Sequence, residues 1–313
     1  MKKKILALLL VCGLILALTA CGGAPAETNA NTDAQSSPNA DAQTPADTDA
    51  QTPADTDAQT PADADADATA QILGETDDGS DTAYVQRKGK LVVGITDFAP
   101  MDYKDDSGEW VGFDADMAKA FAISLGVDVE FIEINWDNKL MELQTKAIDA
   151  VWNGMTLTDE VKAGAGVSDA YCLNGQVVVV PAEKAELYQT VESLADLAIA
   201  VENGSAGAEQ LDALNLPYTA LDTQARALME VASGASDACV IDLLMAGAMI
   251  GEGTSYPDLT YTVQLNSEEY GVAFRKGSDL VDAFNEFWAA ASASGLAMET
   301  ATAYGVQESV IIK

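Results

Sequence analysis

The chain has 313 residues, with 50 acidic against 16 basic side chains, a formal net charge of −34 and no histidine. That acidity excludes the basic footprint that nucleic-acid binding needs, so no nucleic-acid partner is expected. The missing histidine excludes Ser-His and Cys-His catalysis and any His-ligated metal site, and no cofactor is expected.

Residues 1–21 read as a secretory signal. Lys2, Lys3 and Lys4 form a positive start, and residues 5–18 form an apolar core too short for a comfortable membrane span. The closing Leu18-Thr19-Ala20-Cys21 resembles a bacterial lipoprotein box, in which the Cys21 thiol takes a diacylglyceryl thioether. Acyl chains on that terminus imply anchoring to the outer face of the cell membrane.

Residues 22–83 contain no Lys or Arg, and only Ile72 and Leu73 are large aliphatics. Near-copies of DAQTPADT begin at Asp41, Asp49 and Asp57. A period without an apolar face builds no solenoid, so the segment is read as a disordered acidic linker. As a flexible coil it spans roughly 45 Å, and charge repulsion lengthens it.

Residues 84–313 keep 36 acidic against 13 basic residues, a formal net charge of −23. A strand over 90–95 is followed by a helix over 114–125, with Met117, Phe121 and Leu125 at helical spacing and Gly126 closing it. A strand over 127–134, a helix marked by Trp136, Leu140 and Leu143, and a buried strand over 149–152 complete a βαβαβ order with a mostly parallel sheet. The β-branched run 176–181 is read as a crossing between two lobes. A second set follows: strand 198–201, helices 205–214 and 222–233, and strand 238–241. Residues 270–275 form a second crossing, and Ser278 caps a helix with Val281, Phe284 and Trp288 on one face. The fold class expected is α/β, a two-lobed clamp of two mixed sheets joined by a two-strand hinge, which closes on ligands by rigid-body motion. Cys172 and Cys239, both flanked by apolar residues, are read as unpaired core residues with a disulfide as the alternative.

LVVGITDFAPMDY, GEWVGFDADMAKAF, LMELQTKAIDAVWNGMTLTDE, SDAYCLNGQVVVV, AVENGSAG, ASDACVID and EEYGVAFRKGSDL follow one another from residue 90 to the C-terminus. This ordered set resembles the extracellular solute-binding proteins, family 3, of polar amino-acid ABC transporters. The resemblance implies a type II periplasmic-binding-protein-like clamp, with lobe 1 formed by 84–177 plus 271–313 and lobe 2 by 178–270. It also implies ligand roles. Phe98 and Trp136 match two aromatics that cover the ligand, and Asp97 a position that binds a cationic side chain in some members. Asn153, Gly154 and Thr156 match positions that hold an α-carboxylate and an α-amino group. Asn203, Gly204 and Ser205 match an anion-binding turn at a helix N-terminus, and Asp242 a carboxylate that pairs with a ligand ammonium. Structural duties stand beside these roles: loop packing for Phe98, turn or cap duty for Asp97, Asn153 and Ser205, and core packing for Trp136.

One position departs from the pattern. Where the family places a carboxylate-clamping Arg, this chain has Val161, and the adjacent Lys162 points about 100° away around the helix. Either another cation reaches in or the ligand lacks an α-carboxylate. The function expected is that of a monomeric lipoprotein that captures a small polar or cationic amino-acid-like solute for an ABC permease and its ATPase. A ligand-sensing module and a dehydratase-like enzyme are the alternatives.

Overall fold

The computed structural model describes residues 79–313, all within the compact unit Gln71–Lys313. The signal segment, Cys21 and residues 22–78 of the expected linker lie outside the described residues.

The first described helix, α1 (Asp81–Lys88), begins inside the stretch read as linker. Ser80 caps it by accepting the Ala83 N–H, and Asp81 accepts both Nε contacts of the buried Arg275 at 2.9 Å. β1 (Lys90–Ile95), β2 (Tyr103–Lys104), β3 (Trp110–Val111), α2 (Phe113–Leu125) and β4 (Asp128–Glu133) follow. Gly126 ends α2 at φ +75°, with reverse-turn bonds to Ile123 and Ala122, the left-handed cap a glycine adopts without Cβ strain. A single turn at Trp136–Asn138 leads into α3 (Lys139–Gln144), β5 (Ala150–Val151), α4 (Asp159–Gly164) and β6 (Gly166–Val167).

β7 (Cys172–Asn174) and β8 (Gln176–Pro181) flank Gly175, where a Cβ would lie 2.7 Å from the Asn266 carbonyl oxygen. β9 (Ile199–Glu202), α5 (Ala206–Ala213), β10 (Tyr218–Leu221), α6 (Gln224–Ser233), β11 (Ala238–Asp242), α7 (Leu243–Met249) and β12 (Leu259–Gln264) make the second set. The chain returns through β13 (Glu268–Tyr270) to β14 (Ala273–Phe274), α8 (Leu280–Ser294) and α9 (Leu296–Ala303).

The first sheet has the order β4-β1-β5-β14-β6, and the second β10-β9-β11-β8-β12. In the first, β1 runs parallel to β4 and β5, while β14 is antiparallel to β5 and β6. In the second, β9 runs parallel to β10 and β11, and β8 is antiparallel to β11 and β12. The hinge differs from the expected crossings. The run Gln176–Pro181 is an interior strand of the second sheet, and the crossing is the short antiparallel ladder of β7 with β13, Asn174 opposite Glu268 and Cys172 opposite Tyr270. Four consecutive fully buried valines need cover on both faces, which the interior of a sheet supplies and a crossing does not. The expected crossing 270–275 divides in the same way. Tyr270 ends the hinge, and Ala273–Phe274 joins the first sheet.

The main core packs aromatics from α2, α8 and the strands. Phe284 meets Trp152 edge-on at 4.9 Å and stacks on Trp288 at 6.1 Å, arrangements that suit ring quadrupoles. Helix α8 starts at Leu280 rather than at Ser278. Ser278 Oγ still accepts the Leu280 N–H at 3.3 Å, while Asp279 turns to Ser80 and Thr82. Cys172 and Cys239 are both buried free thiols with no disulfide between them.

Candidate functional site

Four strands end at one cavity. β1 delivers Thr96 and Phe98, β5 delivers Asn153 to Thr156, β9 ends in Glu202 ahead of Gly204 and Ser205, and β11 ends in Asp242. Carboxyl ends of parallel strands are where α/β folds place ligands. The walls enclose about 450 Å³ of space not filled by atoms, part of it open to solvent, of which about 20 Å³ admits the centre of a water-sized sphere.

On the first sheet's side the polar groups are largely committed to one another. Asn153 Oδ1 accepts from Thr96 N (3.0 Å) and Thr96 Oγ1 (2.7 Å), and its Nδ2 donates to Thr96 O (3.0 Å) and Asp102 Oδ2 (2.7 Å). The Asn153 amide therefore fixes the loop that carries Phe98, and its hydrogen-bonding capacity is spent there. Gly154 donates its N–H to the buried Asp114 at 2.6 Å and has φ +54°. A Cβ there would lie 2.4 Å from Phe98 Cε1, so this backbone approach requires glycine. Asp114 also accepts from Tyr171 Oη at 2.7 Å, and burial lifts its carboxyl to about 7. Thr156 donates to Glu268 Oε1 at 2.8 Å.

The second sheet contributes buried acids. Asp242 Oδ1 accepts from Gln176 (2.9 Å), Tyr270 Oη (2.7 Å) and Asn174, and Oδ2 accepts from Gln224. Asn174 and Gln176 also donate to Glu268 Oε1, at 2.7 and 2.8 Å. Neutral donors surround Asp242 with no cation among them. Burial, and then the neighbouring Glu268, push its carboxyl up to about 7. Glu202 is 2% exposed, and its Oε1 has no hydrogen-bond partner. Burial and then Asp242 raise it to about 8, although Lys139 opposes the shift.

Phe98, Trp136, Asn153, Gly154, Thr156, Gly204, Ser205 and Asp242 all line this cavity. Asp97 and Asn203 do not; both are exposed, and Asn203 is held by its N–H to Leu221 O at 2.9 Å. Ser205 caps α5 through the Ala208 N–H at 3.2 Å and also lines the cavity, so cap duty does not withdraw it from that wall. Val161 lines the wall as a buried apolar group, and the basic residue lining the cavity is Lys139. Sequence reasoning missed Lys139, Gln176, Glu202 and Gln224. An available signal for Glu202 is an acid closing an apolar strand, a position it shares with Asp242. No local pattern marks the two glutamines.

The sequence is 31% identical over 223 residues to the arginine-binding extracellular protein ArtP of Bacillus subtilis, covering 68% of this chain and 83% of that protein. Among solved structures, a mutant of ArgBP from T. maritima superposes with a TM-score of 0.67 at 32% identity, covering 72% of this chain and 98% of that one. The ancestral amino acid-binding protein AncCDT-1, a precursor of cyclohexadienyl dehydratase, gives a TM-score of 0.66 at 30% identity, covering 72% and 99%. Both the two-sheet clamp and the order of its motifs agree with the family model that matches residues 91–307, and the chain belongs to the bacterial extracellular solute-binding proteins, family 3.

Proposed function

We propose that this protein is the substrate-binding lipoprotein of an ABC importer, anchored through acylated Cys21 and acting as a monomer. It captures a small polar or cationic amino acid, or a related amine, between the two lobes and delivers it to a permease and its ATPase. The observation that carries this reading is the cavity itself. Backbone and hydroxyl groups at strand ends of both sheets surround one small volume, whose second-sheet wall holds Glu202 and Asp242 without a cationic partner in hydrogen-bonding contact. A ligand ammonium or guanidinium supplies the partner that buried carboxylates require. Phe98 and Trp136 cover the ligand, and Asn153 acts through the loop it holds. Lobe 1 is assigned to 84–177 plus 271–313 and lobe 2 to 178–270, with α1 extending lobe 1 back to Asp81. Arginine-, glutamine- and histidine-binding relatives support the amino-acid class.

A second reading is enzymatic, favoured by the likeness to a dehydratase precursor. Acid–base work then falls to Asp242, Glu202 or Lys139. Native mass spectrometry of the undenatured protein identifies any co-purified solute, and incubation with that solute separates the readings. Unchanged solute supports capture; a product mass supports the enzyme.

A further inference from the structure

The charges lining the cavity are lopsided. Glu160, Glu202, Glu209 and Asp242 face one basic residue, Lys139. An anionic group entering this space has one place where an ion pair forms.

Lys139 is held firmly at the cavity wall. It is 7% exposed, and its Nζ lies 5.1 Å from the Trp136 ring centre. The ammonium donates to Trp136 O at 3.3 Å and across the cleft to Gly204 O at 2.8 Å. An ammonium has three donors, so one remains. Among the described residues no carboxylate forms an ion pair with it, although Glu160, Glu202, Asp137 and Glu209 act on it at longer range. Its position beside Gly204 and Ser205 puts it at the start of α5, whose first-turn N–H groups lack carbonyl partners within the helix and carry positive potential. Burial without a contacting counter-ion pushes its pKa down, a cost that an anionic ligand group offsets.

We propose that Lys139 is the anion receptor of the cavity, binding the carboxylate of the solute while Glu202 and Asp242 face its cationic group. The ligand class is therefore a carboxylate-bearing amino acid rather than a simple amine, and Val161 leaves carboxylate recognition intact because Lys139 performs it. This inference rests on the amino-acid reading above and deepens it. Because the same ammonium reaches Gly204 O, Lys139 also couples anion binding to lobe closure.

The test is calorimetric titration of the full mature protein with matched pairs: L-arginine and agmatine, L-lysine and cadaverine, L-histidine and histamine. The wild type binds the carboxylate-bearing member of at least one pair about 100-fold more tightly. Lys139→Met brings that pair to within about threefold, mainly by weakening the amino acid, and Lys139→Arg retains at least about a tenfold preference. Circular dichroism checks the fold, and Lys139→Gln replaces Lys139→Met should the latter not fold. An unchanged preference in the neutral variants, or a wild-type preference for the amine, overturns the Lys139 assignment while leaving small-solute capture in place. Absence of wild-type binding to every member, and to L-glutamine and L-cystine titrated alongside, defeats the amino-acid reading and the inference with it.

Discussion

Asp242 concentrates the chemistry of the cavity in one side chain. It is 4% exposed, accepts from Asn174, Gln176, Gln224 and Tyr270, and is held near a pKa of about 7 by burial and by Glu268. In the role proposed for it a ligand cation drives it to the charged form, so Asp242→Ala is expected to weaken binding by several kcal/mol, more than about 100-fold by titration. Glu202 gives a pH test. Its folded pKa of about 8 lies above the ordinary carboxylate value, so the folded protein holds a proton that the unfolded chain releases. That contribution is fully present below the unfolded pKa and is lost as pH rises towards 8. The ligand-free protein is therefore expected to melt at a lower temperature at pH 8 than at pH 5, and Glu202→Gln to reduce the difference without abolishing it, because Asp114 and Asp242 act in the same direction. An unaltered slope in that variant removes Glu202 as its source. At Gly154 the expectation is steric. Gly154→Ala drives Cβ into the buried Phe98 at a positive φ, so weaker binding together with a lower melting temperature is the outcome to look for.

At the scale of elements, local signals and distant partners divide what was legible in the sequence. The helix ending at Gly126 and the strands β1, β8 and β11 were readable because cap chemistry and β-branched runs act within a few residues. Helix α1 was not, because its first residue is secured by Arg275, 194 positions away. The hinge lies away from the expected run for a similar reason: the hydrophobic run is β8, inside a sheet, whereas the linking ladder is short and polar at Asn174 and Glu268. Lys139 opens α3, and nothing beside it in the sequence marks it. Its burial comes from Trp136 and from Gly204, the latter 65 positions further on. Asp97 and Asn203 matched motif positions, yet β1 and β9 turn them to solvent. Arg275 also reaches Ile148 O at 2.9 Å and the fully buried Asp149 at 3.2 Å. Arg275→Ala is expected to destabilise the protein by about 3–5 kcal/mol, because breaking a buried ion pair leaves a charge short of partners. Urea unfolding measures it, and a loss under about 1 kcal/mol contradicts the network's importance.

For the molecule as a whole, strong acidity surrounds a cavity that holds one lysine among several carboxylates. The general charge favours solubility and repels anions at long range, so a ligand with net positive charge approaches most readily and a carboxylate is accepted only where Lys139 waits. The two sheets are linked by the β7–β13 ladder and by the bond from Lys139 to Gly204. The most direct measurement of the central claim is native mass spectrometry of the protein purified without denaturation, followed by titration of the identified solute into ligand-stripped protein. A bound amino acid of neutral or positive side chain, released by Asp242→Ala, is the result this account predicts. A bound glutamate, or a solute carrying neither an ammonium nor a guanidinium group, contradicts it.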